Sequence, residues 1–420
     1  MGRDRVVPQE IMVLAGTRPE GVKVAPIVRL LCHDPRLTTS VVDSGQQPGR
    51  VAEALAPFGL HTDVTLTPTR RTGALAELAA ELIQAVDGQL TRRRPDAVVV
   101  HGDTTTALVG AVTAFWHRIP VVHLEAGLRS HDVHQPFPEE ANRAMIARLA
   151  SLHLAPTRTA RDNLCAEAVP AERVVVTGNT VVDAVQLLLR DGLARTPHWV
   201  DPHRHLVVAT MHRRENWGAG IARVLDALGD VLTRRPDVEL ALITHPNPRL
   251  AEQVRTRFAD APQVRLLAPV TYPEMIGLLR AARVVVTDSG GLQEEAASLG
   301  VPLVVTRAAT ERPEIIHHRL GDLVGTDPQR IVDAVLRRLD QPAPTAGRLV
   351  FGDGHAAERC VRAIGTLLGL PATPHPVSPR RGGSPGVGHP SHPDPRAAQR
   401  VPDRSTVGEG GPDARDAPPG

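Results

Sequence analysis

Acidic residues at the ends of apolar runs are the first candidates for chemistry. Asp103 follows the run DAVVVHG (96–102), Glu125 lies in PVVHLEA (120–126), and Glu139 lies in PFPEEANR (136–143). An acid that closes an apolar strand needs a partner, because burying it alone is costly. Carboxylates that crowd one another acquire split pKa values and can serve as acid and base. Plainer readings stand beside this one: Asp103 as the cap of the following helix, and Glu139 as the start of a helix opened by Pro138.

Cationic and glycine-rich strings occupy corresponding places. GTRPEGVK (16–23) follows the first apolar run and brings Arg18 and Lys23. A glycine turn feeding a helix offers backbone N–H groups and a helix dipole to an anion. The string is neither a Walker A loop nor GxGxxG, so it carries no dinucleotide fingerprint. TMHRRENWG (210–218) contributes His212, Arg213 and Arg214, and HPNP (245–248) ends the next run with His245. In TDSGGLQEEAASLG (287–300), Ser289, Gly290 and Gly291 make a second anion cradle. Glu295, farther along that helix, suits the two hydroxyls of a ribose.

Strands must hold these strings in place. Apolar, β-branched runs are predicted as strands at 11–15, 39–43, 96–102, 120–126, 173–178, 205–210, 238–244, 283–288 and 301–306. Continuous apolar runs suit strands buried on both faces. Helical patterns such as 74–86 and 221–232 lie between them, which predicts an α/β fold with parallel sheets. The series pauses at 190–204, a polar stretch with prolines that reads as an interdomain hinge. The expected organisation is a domain over 1–190, a second over 200–354, and a tail from 371 to 420. Pro and Gly make up 20 of the 50 tail residues, and Leu, Ile, Met, Phe, Trp and Tyr are absent from it. Such a composition predicts disorder. The helical pattern at 355–369 is the last ordered element expected.

Composition narrows the function class. Lys+Arg 48 against Asp+Glu 46 gives a net charge of +2, which argues against a protein that coats nucleic acid. No apolar run approaches the length of a membrane span. The start lacks the pattern of a secretory signal, and the widely spaced Cys32, Cys165 and Cys360 suit a reducing cytoplasm. Lys23 is the only lysine of a chain that otherwise uses arginine. It stands out because a compact ammonium is not interchangeable with a guanidinium.

Nine strings in order, GTRPEGVK, GDTTTA, EAGLRS, PEEANR, GNTVVD, HRREN, HPNP, TDSGGLQEEA and TERPE, resemble those of the non-hydrolysing UDP-N-acetylglucosamine 2-epimerases over about residues 10–370. The resemblance implies two doubly wound, Rossmann-like domains of the glycosyltransferase-B type, with the active site in the cleft between them. It also implies that the helix at 355–370 packs back on the first domain. The implied reaction inverts C2 of the sugar by eliminating UDP to a 2-acetamidoglucal and adding it back. Asp103, Glu125 and Glu139 become the acid–base candidates and His212 the diphosphate partner. Arg18, Lys23, Met275, Ser289, Gly290, Gly291, Glu295 and Arg312 become the UDP ligands. An activator pocket for a second UDP-sugar would use Gln46, Arg213 and His245, together with Glu139. No metal or cofactor is called for if Arg and His neutralise the diphosphate, and a homodimer is implied. Two positions depart from the pattern: SGQQ (44–47) replaces the usual TGQH, so Gln47 stands where a histidine is usual, and Met275 stands where an aromatic is common. A hydrolysing epimerase, an epimerase for a 2,3-diacetamido UDP-sugar, a glycosyltransferase and a catalytically silent sensor are the alternatives.

Overall fold

The computed structural model describes residues 8–211, 218–244, 247–342 and 350–371. The apolar runs form two separate parallel sheets. The first contains β1 (Gln9–Ala15), β2 (Leu37–Asp43), β3 (Val64–Thr65), β4 (Ala97–His101), β5 (Val121–Leu124), β6 (Leu152–Ala155) and β7 (Val174–Val176), in the order β3-β2-β1-β4-β5-β6-β7. The second contains β8 (His205–Thr210), β9 (Val238–Ile243), β10 (Val264–Leu267), β11 (Val284–Thr287), β12 (Leu303–Val305) and β13 (Gly321–Leu323), in the order β10-β9-β8-β11-β12-β13. Each sheet is thus doubly wound, and the chain reverses direction across it between β1 and β4 in one and between β8 and β11 in the other. Ligands of such sheets bind beyond the strand C-termini at these switch points.

Burial follows the composition of the strands. β4 (AVVVH) and β11 (VVVT) are buried along their whole length, as strands covered by helices on both faces must be. β3, β6, β10 and β13 were not expected from the sequence. They are two to four residues long, and all four carry a polar residue or a glycine among the apolar positions. Their strand character comes from pairing with a longer neighbour, which composition does not record.

One apolar cluster runs from the first sheet into the second. It includes Val13, Val99 and Leu124 on one side and Ile276, Leu279 and Val285 on the other. Between them the helix Thr180–Arg190 packs against the helix Gly290–Leu299. The rings of Phe58 and Tyr272 meet with centroids 6.4 Å apart. The last helix, Ala356–Leu367, packs on helices Arg18–Leu31 and Thr180–Arg190 and on β6, and Asp183 accepts hydrogen bonds from the Ala356 and Ala357 amides at its start. No helix among the described residues is long and apolar enough to cross a membrane.

The stretch 190–204 has little regular structure, but it is fitted rather than loose. Ala194 is buried in the shared core, and the Arg265 guanidinium stacks 4.5 Å from the Trp199 ring centre. The Arg195 carbonyl presses on Gly277 in the helix Tyr272–Ala281, where an added Cβ would lie 2.0 Å from that oxygen. Two backbones that close leave no room for a methyl group. Gly277→Ala is therefore expected to destabilise the protein by about 1–3 kcal/mol, the usual cost of overpacking. Urea unfolding measures this, and an unchanged midpoint would show that the connection can move aside.

Candidate active site

The strand ends of the first sheet are tied together before any reactive group is placed. Gly16 follows β1, and a Cβ there would lie 2.1 Å from Ser44 Oγ and 2.2 Å from Thr106 Oγ1, so the loops after β1 and β2 and the helix Thr105–Trp116 converge on a residue that must be glycine. Glu20 is buried beneath them. Its Oε2 accepts from the Gly16 amide at 3.0 Å and from Thr17 Oγ1 at 2.8 Å, and its Oε1 accepts from Thr104 Oγ1 at 2.7 Å. Burial raises the Glu20 pKa above its ordinary value, against the opposing pull of His101 and these hydrogen bonds. Gln46 uses its side-chain oxygen to accept from the Thr106 amide and hydroxyl, at 3.0 and 2.8 Å. Gln47 accepts from the Arg18 amide at 3.3 Å.

On this platform two of the three expected acids receive partners. Asp103 is half-buried just past β4. The Arg143 guanidinium grips its Oδ2 at 2.8 Å (Nε) and 2.5 Å (Nη2), and Asn142 Nδ2 donates to its carbonyl oxygen at 2.8 Å. Glu125 is buried one residue past β5, with φ +60. The left-handed backbone is uncommon for a residue with a side chain. It turns the carboxylate toward Lys23, with which it forms a hydrogen-bonded ion pair. Asn179 Nδ2 donates to the same oxygen at 2.9 Å, and His101 Nε2 lies 3.6 Å away. Burial would raise the Glu125 pKa, but the charges of Lys23 and His101 outweigh it and hold it well below the carboxylate range. Glu139 opens the helix Glu139–Leu149, and its Oε2 is buried without a hydrogen-bond partner among the described residues. Its neighbour Glu140 takes the ion pair instead, with Oε2 2.8 Å from Arg143 Nη1.

Lys23 also reaches the second sheet. Its ammonium lies 2.6 Å from Glu294 Oε2 on the helix Gly290–Leu299. Burial works against its charge, yet Glu125 and Glu294 together raise its pKa above the ordinary lysine value. Arg312 lies 2.6 Å from Glu294 Oε1 and 2.8 Å from Glu311 Oε1. Its guanidinium covers the helix start, 2.5 Å from where a Cβ on Gly290 would be. A Cβ on Gly291 would meet nothing, so the backbone is open there. The Ser289 amide donates to Thr287 Oγ1 at 3.0 Å just before this helix. Glu295 follows Glu294 and is pushed up to about 7 by burial, with Lys23 opposing and Glu294 reinforcing the shift. Arg18, half-buried, adds its charge to the same surroundings.

The structure thus gathers Lys23, Glu125, Arg312 and Glu295 around one buried cluster and joins Asp103 to it through Arg143. Met275 is instead packed in the apolar core. His212, Arg213 and His245 lie outside the described residues. Arg143, Asn179, Glu294 and Glu311 were not among the expected site residues. All four sit in strings already singled out (PEEANR, GNTVVD, TDSGGLQEEA and TERPE), so the location was legible while the individual side chain was not.

The sequence profile of the UDP-N-acetylglucosamine 2-epimerase family matches residues 29–365. The chain belongs to that family. The Yersinia pestis UDP-N-acetylglucosamine 2-epimerase is 38% identical over 369 residues, covering 84% of this chain and 98% of the relative, and the Escherichia coli K12 enzyme of the same name is 38% identical with the same coverage. Among solved structures, the Staphylococcus aureus MnaA complex with UDP aligns with a TM-score of 0.81 at 33% identity, covering 86% of this chain and 97% of that one. The Neisseria meningitidis UDP-GlcNAc 2-epimerase bound to UDP-GlcNAc aligns with a TM-score of 0.79 at 31% identity, covering 86% and 100%. The two doubly wound sheets are the two Rossmann-like domains of this fold.

The lone lysine is the keystone that family membership alone does not reveal. Lys23→Met would leave Glu125 and Glu294 buried without their shared cation. Breaking a buried pair in this way costs about 3–5 kcal/mol. Without the lysine, burial is the largest influence left on Glu125 and favours its neutral form, so the variant's stability is retained at low pH and lost as pH rises through the folded pKa. Unfolding measured near pH 8 is expected to show the larger loss, and unfolding near pH 5 the smaller. Equal stability of variant and parent near pH 8 would show that the carboxylates do not depend on Lys23.

Proposed function

We propose that the protein interconverts UDP-N-acetylglucosamine and UDP-N-acetylmannosamine without net hydrolysis, by eliminating UDP to a 2-acetamidoglucal and adding it back. The observation that carries this reading is the convergence of Lys23, Glu125, Glu294 and Arg312 from both sheets onto one buried cluster, with Asp103 linked to it. Family membership and the relatives solved with UDP or UDP-GlcNAc support the substrate class.

The chemistry asks three things of the chain. A carboxylate takes the proton from C2 while the C1–O bond breaks and its electron pair leaves with UDP. Cations accept the growing charge on the diphosphate. A second carboxyl then returns a proton to the opposite face of C2 as the diphosphate oxygen rejoins C1. Asp103, Glu125 and Glu139 supply the acid–base groups. Glu125 is held ionised by Lys23, the state from which a base must start. Lys23, Arg18 and Arg312, with the backbone of Ser289, Gly290 and Gly291, hold the diphosphate side, and His212 assists the leaving group. Glu295 takes the ribose hydroxyls. Water must be kept out while the glucal exists, and two lobes in contact do this. The hydrolysing alternative would instead admit water and release free N-acetylmannosamine.

Three attributes complete the reading. The enzyme acts in the cytoplasm, in keeping with Cys32, Cys165 and Cys360 all being free thiols. It acts as a homodimer, in keeping with the exposed Phe115, Trp116 and Met145 on two neighbouring helices of the first lobe. Activation by a second UDP-sugar would engage Gln46, Arg213 and His245.

Incubation with UDP-N-acetylglucosamine alone in D2O tests the reaction. Deuterium at C2 and a mixture of two UDP-sugars are expected. Free N-acetylmannosamine with UDP would establish the hydrolysing alternative, and no reaction at all would remove the epimerase reading. Asp103→Asn is expected to lower turnover by about 10²–10⁴-fold, the scale of acid–base groups, with UDP binding retained by calorimetry. Unchanged turnover would exclude Asp103 from proton transfer.

A further inference from the structure

The ion pairs of the site join into one line of alternating charge: Asp103, Arg143, Glu311, Arg312, Glu294, Lys23, Glu125. The consecutive contacts are 2.5 Å (Asp103–Arg143), 3.9 Å (Arg143–Glu311), 2.8 Å (Glu311–Arg312), 2.6 Å (Arg312–Glu294) and 2.6 Å (Glu294–Lys23), closed by the Lys23–Glu125 pair. Its two ends are acids of the first lobe, and its middle three members belong to the second. Lys23 therefore touches Glu125 of its own lobe and Glu294 of the opposite one, and Arg143 touches Asp103 and Glu140 of its own lobe and Glu311 of the opposite one. Glu311 is itself fixed by Arg307, 2.6 Å from its other oxygen.

We propose that Glu294 and Glu311 are positioning residues that hold Lys23 and Arg143 against Glu125 and Asp103 only while the two lobes are in contact. This rests on the epimerase reading, since it assigns roles in that reaction. The physical ground is that buried charges are tolerated only with partners on every side. All of these groups except Asp103 are almost fully buried. Parting the lobes removes one carboxylate from each cation and admits water to both. The two acids then lose their fixed orientation together, and proton transfer is confined to the state that also retains the glucal. Orientation errors of this kind carry large rate costs.

Glu294→Gln keeps the shape of the side chain and removes its charge. A positioning role predicts kcat lower by about 10–100-fold. KM for the UDP-sugar is expected to change less than kcat, because the negative charge removed competes with the diphosphate for Lys23 and Arg312. Small-angle X-ray scattering is expected to show a larger radius of gyration for the variant, and Glu294→Asp is expected to recover part of the loss in kcat. Should Glu294→Gln fail to fold, Glu311→Gln carries the same test through Arg143 and Asp103. A kcat within about twofold of the parent, a loss confined to KM, or an unchanged radius of gyration would overturn the proposal. If the parent protein itself does not turn over the UDP-sugar, the epimerase reading fails, and the scattering comparison still decides whether these carboxylates hold the lobes together.

Discussion

A single ammonium group held between two buried carboxylates is the interaction on which the arrangement of this protein depends. Lys23 lies on the helix after β1, Glu125 just past β5, and Glu294 on the helix after β11. Burying such charges is costly unless they are paired, and Lys23 is the one cation that both carboxylates share. A hydrophobic interface of the same size would join the lobes at least as firmly. The ionic version makes the junction depend on charge, which is what a site handling a diphosphate and a migrating proton needs.

The two sheets make this possible by being built alike. In each, the chain starts a strand at the middle, winds outward, and returns to the other side, so the switch point opens a crevice at the strand C-termini. In the first lobe the loops after β1, β4 and β5 carry cations and acids into that crevice. In the second the loop after β11 begins the helix that carries Glu294 and Glu295. Glu20 shows how firmly the platform is made: one buried carboxyl ties the loop after β1 to the loop after β4. The apolar contact of helices Thr180–Arg190 and Gly290–Leu299 sets the spacing at which Lys23 can meet Glu294.

Much of this was legible in the amino-acid sequence because the strands are buried on both faces and therefore read as unbroken apolar runs. β8 begins and ends where its run HLVVAT does. The short strands β3 and β13 are not legible there because pairing, not composition, makes them strands. Lys23 was conspicuous as the one lysine in an arginine-rich chain. The partners that decide its behaviour were not, because a sequence does not tell which of two adjacent acids faces inward. Glu139 and Glu140 are consecutive, and the second takes Arg143. Glu294 and Glu295 are consecutive as well, and the first takes Lys23 and Arg312. Helix phase resolves the first choice and the approach of Lys23 from the other lobe the second, and neither can be read from the order of two adjacent acids.

A crystal structure of the protein with UDP bound tests most directly whether this charged junction is the working site. The diphosphate is expected at the start of the helix Gly290–Leu299, within hydrogen-bonding distance of the backbone there and of the Lys23 or Arg312 side chain, with the ribose at Glu295. A nucleotide bound outside the cleft, with Lys23 and Arg312 untouched, would contradict it.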